Sequence, residues 1–137
     1  MLSNPRLEMK NLLHGHVEAT VERARSHAVV LAPQDTTFLN YTAHPETEGL
    51  GPINTRSDGA VGLVVHDTMA FTADGTPLGL LNVQCWARDP KEAGKREKRK
   101  DLPIEEKESI KWLESYRAVA EAQRLCPETM FVSMGRP

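Results

Sequence analysis

Cysteines are few in this chain, long apolar runs are missing, and neither sign of charge dominates. Only Cys85 and Cys126 occur among 137 residues. They are far apart and sit in no metal-ligand spacing. That argues against a disulfide framework or a thiolate metal site, and two reduced, half-buried thiols are expected. No stretch approaches the ~18 apolar residues that a membrane span needs. No basic segment followed by an apolar one stands near Met1, so no secretory signal is expected and a cytoplasmic location follows. Lysine and arginine number 17 against 19 acids, a net charge of -2. This balance supplies no global attraction to nucleic acid. There is no Gly-x-Ser-x-Gly, no phosphate-cradling glycine-rich loop, and no cysteine with a histidine partner in a recognisable motif.

What remains is a chain long enough for one domain with a real core. Asn4-Pro5 suits a helix start, and Leu13, Val17, Thr20, Val21 and Ala24 recur at helical spacing. Gly15 weakens the first turns, so a firm helix is expected from about His16. A strand follows from Ala28 through Asp35 to about Tyr41. Residues 42–58 read as a loop, rich in Gly and Pro, and their length favours a functional segment. Ala60 to Ala73 and Leu78 to Trp86 read as antiparallel strands around the Asp74-Gly75 turn. A second helix is expected from about Leu102-Pro103, with Trp112, Leu113, Tyr116, Val119 and Ala120 buried and weak Glu108–Lys111 and Glu114–Arg117 pairs. Pro127 ends it, and Thr129 to Met134 forms the last strand. The class is α/β: a helix, a three-strand meander, a helix, and a fourth strand. A right-handed crossover would set that strand parallel to the first.

Asp35 stands in mid-strand, in the run Pro33-Gln34-Asp35-Thr36-Thr37. Burying a carboxylate there is costly unless it is paired, hydrogen-bonded or holding a metal. Asp35 is therefore a metal ligand or an edge residue facing water. Gln34-Asp35-Thr36-Thr37 is followed in order by Val65-His66, Gly79-Leu80-Leu81 and Trp86-Ala87-Arg88. Glu106-Lys107-Glu108-Ser109 and Lys111-Trp112-Leu113 complete the series. The ordered set, from about Asn4 to Gly135, resembles the catalytic core of DDE transposases of the IS-four type, the group that includes the Tn-five-like enzymes.

The resemblance implies a ribonuclease-H-like fold and metal-dependent DNA cleavage and strand transfer for an insertion sequence. It implies Asp35 as the first of three metal-binding carboxylates and Mg2+ as the cofactor. In the family the strand resembling Met130 to Met134 leads through Gly into a second catalytic Asp. Here Gly135 is followed by Arg136 and Pro137. The chain is thus expected to be a partial domain over 1–137, the N-terminal half of a transposase core. It would stop before the fifth strand, bind metal weakly and be inactive alone. Asp58 and Asp74 are explained by loop and turn chemistry, and Asp67 reads as a rim residue. His66 matches a family position, but a lone histidine suits packing or hydrogen bonding better than ligation. Weak DNA contact, in competition with plain solvation, is expected at Lys95, Arg96, Lys98, Arg99 and Lys100. The last strand is expected to leave an apolar edge that favours self-association or pairing with intact transposase. The alternative function is a non-catalytic interaction or inhibitory protein.

Overall fold

The structure, a computed structural model, describes residues 9–54, 59–92 and 101–135. Among them are two helices, α1 (Met9–Ala24) and α2 (Ile110–Leu125). The strands are β1 (Val29–Asn40), β2 (Gly51–Pro52), β3 (Val61–Thr72), β4 (Pro77–Trp86) and β5 (Met130–Met134). The five strands form one mixed sheet in the order β2-β3-β1-β5, with β4 also paired to β3. β5 runs parallel to β1, from Val29 opposite Met130 to Pro33 opposite Met134. The meander, crossover helix and parallel strand expected from the sequence are all present. The described chain divides into two compact units, the first from residues 9–35, 67–83 and 112–135, the second from 36–54, 59–66, 84–92 and 101–111.

In the first unit, Val30 and Ala32 of β1, Ala70 of β3, and Leu78 and Leu81 of β4 meet Val21 and Ala24 of α1. Val119 and Ala122 of α2 and Cys126 close the same cluster. Side chains alternate across a strand, so both helices lie on the face that carries the even-numbered residues of β1 and β3. The opposite face carries Val29, Leu31, Pro33 and Asp35 of β1 and Asp67, Met69 and Phe71 of β3. Both sheet margins receive side chains from the helices. Arg23 donates to the Leu78 carbonyl over 3.0 Å. Gln123 accepts from the Phe131 N–H over 3.0 Å and donates to the Thr129 carbonyl over 2.7 Å.

In the second unit, Arg88 is the organising side chain. Its guanidinium grips Glu108 through Nε at 3.0 Å and Nη2 at 3.2 Å, and Nη1 donates to the Ile53 carbonyl over 3.0 Å. It also lies 5.1 Å from the centre of the Phe38 ring. A forked pair of this kind is geometrically specific. It ties two parts of the motif series, Trp86-Ala87-Arg88 and Glu106-Lys107-Glu108-Ser109, to each other.

Several sequence expectations are corrected. α1 is already helical at Met9, because Gly15 lowers helix propensity without breaking the ladder. The 42–58 segment contains β2, paired antiparallel to β3 with Gly51 opposite Gly62. Both positions require glycine, since a Cβ would collide with the Arg88 and Leu39 carbonyls respectively. The region after Leu102 forms a 3-10 turn, Ile104–Glu106, and regular α2 starts only at Ile110. The buried stripe of α2 is Ser115, Val119 and Ala122, whereas Tyr116 is 57% exposed and Ala120 is exposed. Small residues let the helix backbone sit close to the sheet, and Tyr116 keeps its hydroxyl in water. The Glu114–Arg117 pair is present at 3.0 Å. The thiols are unlike rather than both half-buried: Cys126 is buried and Cys85 exposed.

Candidate functional site

Asp35 and Asp67 are brought together in the first unit. The register of β1 on β3 is antiparallel. Tyr41 N–H donates to the Val61 carbonyl over 2.8 Å, and Thr36 Oγ1 lies 2.8 Å from His66 Nδ1. The same register sets Asp35 directly opposite Asp67. Opposed residues on an antiparallel pair have Cβ atoms about 4.5–5.5 Å apart, and like charges there repel. Partial burial, and then the Asp35 carboxylate, hold the Asp67 carboxyl above the usual carboxylate range. Asp35 itself is exposed.

Asp35 also lies at the carboxyl end of β5. Pro33 is opposite Met134, so Asp35 is two residues beyond the last β1 residue in that register. Gly135 sits close by on the other face. A Cβ there would lie 3.2 Å from Trp112 and 3.3 Å from Gln34. Gln34, next to Asp35 on β1, and Trp112 of α2 thus both approach Gly135 at the end of β5.

His66 is wholly buried on the even-numbered row of β3, with Thr36 at its Nδ1. This is the hydrogen-bonded core histidine that the sequence favours over a ligand. Asp74 belongs to the β3–β4 turn. The Thr72 hydroxyl and the Thr76 backbone and hydroxyl bond to it and hold its carboxyl below the usual range. Asp58 and the five cations Lys95, Arg96, Lys98, Arg99 and Lys100 lie outside the described residues. Among the described residues, no group of three His, Cys, Asp or Glu side chains could hold a metal ion.

Asp67 is the site residue that sequence reasoning placed at the rim. Its signal is present in the pattern, since Val61, Leu63, Val65, Asp67, Met69 and Phe71 form one row of β3. A single acid interrupts an otherwise apolar row, as Asp35 interrupts Val29, Leu31 and Pro33 in β1. Two opposed carboxylates offer oxygen donors alone, the set that hard cations such as Mg2+ and Mn2+ select. Mg2+ keeps several waters and is commonly held by one or two carboxylates together with substrate phosphates. The pair therefore fits a loosely held, substrate-completed ion and does not fit a closed structural site. No protein-family model matches the chain.

Proposed function

We propose that this chain carries part of a metal-dependent DNA-cleaving core of the DDE transposase kind, on a ribonuclease-H-like sheet. The observation that supports it is the carboxylate pair Asp35 and Asp67 on adjacent strands, with Asp35 at the carboxyl end of the parallel neighbour β5. When bound, a divalent cation would supply charge neutralisation at a phosphate and an activated oxygen nucleophile. Asp35 and Asp67 would hold it, and the cation would favour the ionised form of Asp67 against the burial and the Asp35 charge that raise its pKa. Asp35 alone matches the family's triad, so the isolated chain is expected to bind Mn2+ or Mg2+ weakly and to leave DNA uncut.

The test is Mn2+ titration of the chain by electron paramagnetic resonance. Binding that weakens as pH falls, and by tenfold or more in Asp35→Asn and in Asp67→Asn, supports the reading. Binding unaffected by both substitutions overturns it. A plasmid-nicking assay run in parallel is expected to show no product. Metal-dependent nicking lost in Asp35→Ala would show a fuller active site than proposed.

A non-catalytic interaction protein is the second reading. It is favoured by Met130, Val132 and Met134, which leave β5 with exposed apolar side chains; Met130 is 62% exposed.

A further inference from the structure

β4 departs from strict alternation. Leu78 and Leu81 are its buried apolar residues, three positions apart where a regular strand requires two or four. One extra residue is accommodated there, at Gly79, whose φ is +138°. An added residue of this kind leaves a backbone group without its ladder partner. The Leu80 N–H is taken up instead by His16 of α1, whose Nε2 accepts it at 2.9 Å. Thr20, one turn on, donates its hydroxyl to the His16 carbonyl over 3.0 Å. Arg23, two turns on, donates to the Leu78 carbonyl. The seat is close. A Cβ at Gly79 would collide with the Thr20 hydroxyl and lie 3.1 Å from His16 Nε2.

We propose that His16 is a proton-sensitive latch between α1 and the bulged margin of β4. Only the neutral imidazole has an acceptor nitrogen, and the imidazolium donates from both ring positions. Protonation of Nε2 therefore turns the Leu80 contact from donor–acceptor into donor–donor. The stretch of β4 around Leu80 offers no compensating charge, since Pro77 to Val83 contains no ionisable side chain. Among the described side chains of α1, Arg23, a second cation, faces the same strand. The other neighbours, His14 and Glu18, pair with each other at 3.0 Å on the exposed side. Acid thus frees the Leu80 N–H and loosens this polar attachment of α1 to β4. The consequence is a helix whose grip on the strand weakens when His16 takes up a second proton.

The experiment is residue-resolved amide exchange on the whole chain, with imidazole 15N shifts recorded in the same samples. At about pH 8, Nε2 of His16 is expected to be unprotonated and the Leu80 amide protected. Protection, corrected for the intrinsic rate, is expected to fall about tenfold or more by about pH 5. His16→Gln, whose amide oxygen accepts at every pH, is expected to flatten this profile, and His14→Gln to leave it as in the wild type. A flat wild-type profile overturns the proposal, as does a fall that persists in His16→Gln. A proton on Nε2 at the higher pH overturns it even if His16→Gln fails to fold.

Discussion

An aspartate drawn partly out of water, and facing another carboxylate, holds its proton more tightly than a solvated one. Asp67 is in that position, by burial first and by Asp35 second. Between its unfolded and its raised folded pKa, the folded chain binds a proton that the unfolded chain has released. Stability contributed by this group therefore falls as pH rises through that window, and the penalty is complete above it. Asp67→Asn is accordingly expected to raise the urea midpoint at neutral pH. The gain should vanish once the medium is acid enough to protonate Asp67 in both states. An unchanged midpoint at neutral pH would show that burial and the Asp35 charge together place no penalty on the Asp67 carboxylate. His66 makes the opposite case, a polar group that is wholly buried and partnered. Removing the imidazole leaves a cavity and takes away one hydrogen bond of Thr36, so His66→Ala is expected to cost about 2–5 kcal/mol by urea unfolding.

Strand alternation and turn chemistry made most elements legible. The Asp74-Gly75 turn, the paired arms of β3 and β4, and the parallel return of β5 all follow from sequence pattern. What the pattern could not supply was the rotation of α2. Trp112 and Tyr116 look like core residues by hydrophobicity, yet close approach to the sheet favours Ser115, Val119 and Ala122. Val119→Ala is expected to cost about 2 kcal/mol, for two buried methyl groups and the space they leave. Tyr116→Ala should stay within about 0.5 kcal/mol, as exposed substitutions do. Equal losses at the two positions would return α2 to the orientation read from sequence. Nor could pattern reveal that the β5 margin is covered by a side chain. The Gln123 amide bonds to Phe131 N–H, to the Thr129 carbonyl, and to the Cys126 carbonyl at 3.2 Å. It acts as a short substitute for a further strand. Gln123→Ala is expected to cost about 1–3 kcal/mol and to increase self-association by light scattering, since uncovered strand edges pair with other chains. Gln123→Glu keeps only the acceptor and should fall between wild type and Gln123→Ala.

Across the molecule, the candidate site was half legible. Asp35 stood out because an acid in mid-strand needs a reason. Asp67 stayed hidden because its meaning depends on strand register, which brings together residues far apart in sequence. The central claim is that this register builds a cation site on the sheet face that the helices leave uncovered. Paramagnetic broadening by sub-stoichiometric Mn2+, read residue by residue in the amide spectrum, tests it most directly. Signals of Asp35, Asp67 and their immediate neighbours on β1 and β3 should broaden first, and each effect should disappear in Asp35→Asn. Broadening that begins instead at Asp74, at Glu46 and Glu48, or evenly over all acids would contradict the claim.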